Sequence, residues 1–327
     1  MKTKRTFRFT RMIRNIVLGL TATMLIVVLV NQVLSRYEHK KYPAWGQYVE
    51  VDGKKMHVYT KGTEGSAIVL LSGLGTISPV LDFEPLINEL ANHHKVVVVE
   101  PFGYGWSDMT DKERTVENIV GELRSALQKA KIDGPYILMP HSISGIYSMY
   151  YANKYPDEIK AIVGIDITLP QAVDYFKEPV PTMPKYMSLV VPSGLARLAS
   201  YISPGIVLPQ ADEGTYTVQN LKMTQIITAW KAYNKNVVNE AREIKNNIAA
   251  TKDMVFPPSL PVMIFTPPSD KVNADGKSNL TFYEDQLRKL DQHQLIILKG
   301  HHYLHWTQYK QISADVNMFL NNSAALE

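Results

Sequence analysis

A serine at position 142 stands where a serine can become a nucleophile. Residues 136–139 form a short apolar strand. Pro140-His141-Ser142-Ile143-Ser144-Gly145 is then a tight corner leading into a helix from about Gly145. In such a corner the serine backbone is forced into a strained turn and its hydroxyl projects above the sheet. The amide of the next residue, Ile143, points at whatever the serine attacks. The turn is crowded, so small neighbours are needed, and Ser144 and Gly145 meet that demand. A serine in an ordinary strand-to-helix turn is the plain alternative.

Acyl transfer at neutral pH also needs a base, an orienting acid and donors for an oxyanion. Asp166 ends an apolar strand at residues 160–166, and Asp270 follows another at residues 261–265. His301, His302 and His305 follow a third at residues 294–298. A histidine beside Ser142 would take its proton and pass it to the leaving group, while the acid would fix the imidazole tautomer. The chain has no cysteine. A thiol nucleophile, a zinc–thiolate site and a disulfide framework are therefore excluded. No carboxylate lies near the three histidines in sequence, so a metal is disfavoured there. The chemistry is complete in side chains and backbone, and no cofactor is implied.

The elements that would position these groups alternate. Residues 67–71 and 95–100 are continuous apolar runs of strand length, as strands buried on both faces require. Helical spacing of Val116, Ile119, Val120, Leu123 and Leu127 predicts a helix over 115–131. Asp52-Gly53 between two short strands (48–51 and 55–60) signals a hairpin. The alternation from Ala67 onward predicts an α/β fold, a mostly parallel central sheet with helices on both faces. Between about 170 and 256 the strand rhythm stops. Seven prolines (170, 179, 181, 184, 192, 204 and 209) are followed by helical stretches at 217–233 and 236–248. The rhythm then returns, with a strand at 261–265, a helix at 278–290, a strand at 294–298 and a last helix at 308–320.

The stretch around Ser142 resembles the nucleophile elbow of the α/β-hydrolase family, where G-H-S-x-G-G precedes a helix ending in Y-A-x-x-Y-P. Here the helix ends Tyr151-Ala152-Asn153-Lys154-Tyr155-Pro156, and Pro140 replaces the first glycine. Ser72-Gly73-Leu74-Gly75 is similar to the family's H-G-x-G segment, with serine for histidine. Glu100 and residues 102–108 resemble its D-x-x-G-x-G-x-S-D segment. Gly300-His301-His302-Tyr303-Leu304-His305-Trp306 resembles its G-H-F-x-H-W-E ending. The resemblance implies Ser142 as nucleophile, His302 as base and Asp270 as acid, since the family runs Ser, acid, His with each at a strand end. Some members use the position of Asp166 instead. It further implies backbone amides of Leu74 and Ile143 as the oxyanion site, and the 170–256 insertion as a helical cap. A nucleophilic Asp, as in the dehalogenase and epoxide-hydrolase branches, would have to replace Ser142. The fold hosts esterases, lipases, thioesterases and peptidases, so it does not name the substrate. A carboxylic ester is the expected class, with an aminopeptidase-like enzyme on the same triad and a non-catalytic binding protein as alternatives. The cap carboxylates Glu178, Asp212, Glu213 and Glu240 could bind a substrate amine, and an exposed helix face explains them equally.

The N-terminus carries its own signal. Six Lys/Arg in the first fifteen residues exceed the whole net charge of +4 and leave the rest at −2. A near-neutral body gives no reason to expect nucleic acid. The apolar run 16–30 follows; with Ile13 and Val33-Leu34 it approaches the length that crosses a bilayer. A preceding cationic flank predicts a cytoplasmic N-terminus and an extracytoplasmic catalytic domain. A cleaved signal peptide is the rival, but no small-residue cleavage pattern follows the run. Asn31 and Gln32 stand at the edge, where interfacial water could satisfy them, and residues 36–43 read as a polar stalk. The expected organisation is leader and single-pass signal-anchor (1–35), first part of the core (36–169), helical cap (170–256) and second part of the core (257–327).

Overall fold

The structure, a computed structural model, describes residues 2–268, 272 and 275–324, with side chains in these from residue 9 to residue 322. Eight strands form one sheet in the order β1-β2-β4-β3-β5-β6-β7-β8. They are β1 Gln47–Val51, β2 Lys54–Lys61, β3 Ile68–Leu71, β4 Val96–Val99, β5 Tyr136–Pro140, β6 Ile159–Ile165, β7 Val262–Thr266 and β8 His293–Ile297. The β1–β2 and β2–β4 pairs are antiparallel and every other pair is parallel. Asp52 (φ 51°) and Gly53 (φ 72°) close the β1–β2 hairpin in the left-handed region such turns need.

The apolar strands are buried on both sides because each face carries its own core. Val69, Val97 and Leu138 pack with the helices Val116–Lys129 and Ser144–Lys154. Their neighbours Ile68, Val96 and Ile137 face the other way, toward the helices Glu84–Leu90 and Tyr309–Ala324. The period of two along each strand decides which side chain joins which core.

Helices occupy the span between β6 and β7. Leu195–Ile202, Val218–Lys231 and Lys235–Thr251 are the longer ones. Thr217 and Asn234 start the second and third by accepting backbone N–H bonds with their side chains.

The N-terminal segment is one helix, Lys2–Lys41, and its stretch Phe9–Lys41 is long and apolar enough to cross a membrane. The expected polar stalk, residues 36–43, is helical through Lys41. No proline interrupts it before Pro43, and Arg197 holds its end. The guanidinium donates to both carboxylate oxygens of Glu38 at 2.7 Å and to Ser35 Oγ at 3.0 Å, and its Nε donates to Asn31 Oδ1 at 2.8 Å. Asn31 also donates to the Val191 carbonyl at 3.0 Å. It is buried and satisfied by protein, not by interfacial water.

Candidate active site

Leu74, Ser142, Ile143, Asp166 and His302 all follow the carboxyl ends of strands. Ser142 follows β5 with φ 56°, the left-handed strain expected of an elbow nucleophile. Two contacts impose the turn. The Ser142 N–H donates to the Ile165 carbonyl, and its own carbonyl accepts from Thr168 N at 2.8 Å. A side chain at Gly145 would have its Cβ 2.5 Å from the Thr168 carbonyl oxygen, so only glycine lets the elbow helix lie this close to the segment after β6. Pro140 is accommodated as the last residue of β5, where the ladder to β3 ends at Leu71. The departure at position 72 is also absorbed: Ser144 Oγ donates to the Ser72 carbonyl at 2.5 Å, tying the loop after β3 to the elbow.

That loop lies against the nucleophile. A Cβ at Gly73 would meet the Ser142 Cβ at 3.0 Å. Leu74 N and Ile143 N have no hydrogen-bond partner among the described residues. Gly75 is fixed from behind by Tyr104, whose hydroxyl accepts the Gly75 N–H at 3.2 Å and donates to Glu240 Oε2 at 2.7 Å. Tyr147, on the elbow helix, donates to Glu240 Oε1 at 2.8 Å. Glu240 is therefore not on an exposed helix face. It is buried, and burial pushes its carboxyl up despite the two phenols and nearby Arg114.

His302 follows β8. Its Nδ1 donates to Asp166 Oδ2 at 2.6 Å, with Asp166 largely buried at the end of β6. Thr266 Oγ1 donates to the other oxygen of Asp166 at 3.3 Å. Asp270 lies outside the described residues, so the acid seen on His302 is the one the sequence offered as the alternative. The other two histidines have structural work. His305 is buried and donates to Asp82, which also accepts from Trp306 Nε1. His301 accepts the Tyr303 N–H at 3.0 Å.

His141, just before the nucleophile, packs with its ring centroid 4.6 Å from that of His302. Its Nε2–H donates to the His302 carbonyl at 3.1 Å. Burial foremost, then the neighbouring His305 and His302, holds its pKa well below the ordinary value. The unfolded chain thus binds this proton first. Stability should be complete above roughly pH 6.5 and fall as pH drops below it. Thermal unfolding from pH 8 to 5 checks this. His141→Gln should remove up to ~1.4 kcal/mol per pH unit of the slope; equal slopes in the two proteins would refute the assignment.

Glu100, at the end of β4, organises the segment after it. It is fully buried and accepts from His57 Nδ1, Ser78 Oγ and the Trp106 N–H. Burial pushes its carboxyl up, but these donors win and hold it low. A Cβ at Gly105 would fall within 2.0 Å of the Glu100 carboxyl carbon, so glycine is required there.

A cavity of about 440 Å³ opens over this edge of the sheet. Leu74 and Gly75 form one wall, Tyr303 and Trp306 another, and Leu195, Ala199 and Ile206 of the helical insertion a third.

Residues 66–199 match the family model for the alpha/beta hydrolase fold. YbdG of Bacillus subtilis, an uncharacterized protein, is 32% identical over 82% of this chain and 83% of its own length. The chain belongs to the alpha/beta hydrolase fold family. A 2-(acetamidomethylene)succinate hydrolase from Mesorhizobium japonicum is 28% identical over 37% of this alpha/beta hydrolase chain and 42% of that protein. An epoxide hydrolase from Vigna radiata superposes with a TM-score of 0.64 at 18% identity, covering 84% of this chain and 97% of the other. That last likeness is one of fold. Together the comparisons support a hydrolase.

Proposed function

We propose that this protein is a serine hydrolase that cleaves a carboxylic ester through an acyl-enzyme. Ser142 attacks the carbonyl, and His302 takes its proton and returns it to the leaving alcohol. Asp166 orients His302, and the amides of Leu74 and Ile143 receive the oxyanion. The observation that carries this reading is the 2.6 Å bond from His302 Nδ1 to a buried carboxylate, at the same sheet edge as a serine in a strained elbow.

An ester fits the cavity better than a peptide amine. Among the described residues, the one carboxylate on the cavity wall, Asp82, is already engaged by His305 and Trp306, and Glu240 is engaged by two tyrosines. Neither is left to hold an ammonium group. The helical insertion acts as a cap that keeps water from the acyl-enzyme. The helix Phe9–Lys41 anchors the enzyme in a membrane by a single pass, with the basic N-terminus on the cytoplasmic side and the hydrolase on the other.

Labelling with a fluorophosphonate probe tests the reading. The full chain should label covalently, and Ser142→Ala and His302→Ala should not. Labelling that persists in Ser142→Ala would remove Ser142 from the role. A folded wild type that never labels would favour a binding protein on the same fold.

A further inference from the structure

We propose that the helix Leu195–Ile202 and the turns beside it lie in the membrane leaflet, and that the cavity draws its substrate from there. The substrate class is then an ester of a hydrocarbon-chain amphiphile dissolved in the bilayer, not a water-soluble ester. The inference rests on the membrane-anchor reading given above.

The depth of the insertion is set by its contacts with the N-terminal helix. A Cβ at Gly194 would lie 3.0 Å from Val27 Cγ1 and 3.2 Å from Asn31 Cβ. Val27 stands three residues inside the end of the apolar run at Val30, about 4.5 Å along the helix axis. The start of Leu195–Ile202 is therefore level with the last turn of the apolar run 16–30. Arg197 locks that level through Asn31, Ser35 and Glu38, one face of the anchor helix. Asn31 and Glu38 are sheltered by the same contact.

The short helix is sided accordingly. Ala196, Arg197 and Ser200 are buried toward the protein. Leu195, Leu198 and Ile202 point outward, at spacings of three and four residues, and Ile202 is 79% exposed. Tyr186 and Leu189 before the helix in the chain, and Ile206 after it, are exposed apolar residues as well. In water such a surface is unfavourable. At the interface of a bilayer it is stabilised, because amphipathic helices settle roughly 5–10 Å into the headgroup–acyl boundary. Leu195 and Ile206 belong to the outward surface and to the cavity wall at once. A chain leaving the leaflet would pass them to reach the Leu74 side of the cavity without crossing water.

The absence of native cysteine makes a direct test simple. Full-length single-cysteine variants Leu20→Cys, Ile202→Cys and Asp133→Cys would each carry an environment-sensitive dye and be reconstituted in phosphatidylcholine vesicles. Quenching by lipids bearing a nitroxide on the acyl chain is the readout. Leu20→Cys and Ile202→Cys should both be quenched, and Asp133→Cys, at the far end of β5, should not. Quenching at Leu20 without quenching at Ile202 would overturn this inference and leave the anchor intact. No quenching at Leu20 would overturn the anchor reading and this inference with it. Ile202→Glu completes the test. It should lose about tenfold or more activity toward a long-chain ester presented in vesicles, and keep its rate on a short soluble ester. Equal loss on both substrates would count against leaflet access.

Discussion

Replacing Asp166 with asparagine is expected to lower kcat on a chromogenic ester by roughly 10³–10⁴-fold, with KM little changed. The reason lies in which oxygen is already claimed. Thr266 Oγ1 donates to Asp166 Oδ1, and His302 Nδ1 donates to Oδ2. An asparagine would keep its carbonyl toward Thr266 and turn its NH₂ toward His302. The imidazole would then have to accept at Nδ1 and carry its proton on Nε2, the atom proposed to take the proton from Ser142. Geometry survives and the base is lost. On the proposed reading, Asp270→Asn made alongside should change kcat by less than about tenfold. The opposite pattern, a collapse in Asp270→Asn and near-normal turnover in Asp166→Asn, would transfer the acid's role to Asp270.

Removing Glu122 should produce the largest loss of stability. Arg114 and Glu122 form a two-pronged ion pair at 2.9 and 2.7 Å, with side chains 1% and 3% exposed. The pair is held in place from the insertion: Asn239 accepts the Arg114 N–H, and Asn247 donates to its carbonyl. Glu122→Ala leaves a buried guanidinium without its hydrogen-bonded carboxylate partner. The cost should be about 3–5 kcal/mol, a large part of the stability of an ordinary domain. Thermal and denaturant unfolding would read it. The paired change Arg114→Met with Glu122→Leu should recover most of the loss, because it removes both charges and keeps the volume. A single-variant cost below ~1 kcal/mol would mean that solvent enters the site.

Local demands made much of this legible from the sequence. Four valines in a row at 96–99 fit a strand covered on both faces, and they divide between the two cores as a period of two requires. The elbow was visible because a strained serine needs Gly145 beside it. For the acid the sequence pointed to Asp270 and kept Asp166 as the alternative, since chain order suits either. The bond described at His302 goes to Asp166, and it joins residues 136 positions apart. Glu240 was indistinguishable from surface carboxylates for the same reason: its partners Tyr104 and Tyr147 lie on two other segments. A polar residue at the end of an apolar run, Asn31, was the one local hint of the Arg197 contact. Its helical neighbours gave no clue to what it would meet.

The Gly75–Tyr104–Glu240–Tyr147 bonds bear on how such an enzyme can change over evolutionary time or under engineering. Glu240 belongs to the insertion, yet it braces the loop that carries the Leu74 amide. Transplanting a relative's insertion to alter selectivity would remove that brace unless the donor supplied a carboxylate at the same point. Chimeras of this chain should therefore lose turnover before they lose their fold. Selectivity and rate are inherited as one block, and variation that separates them must work around a single glutamate.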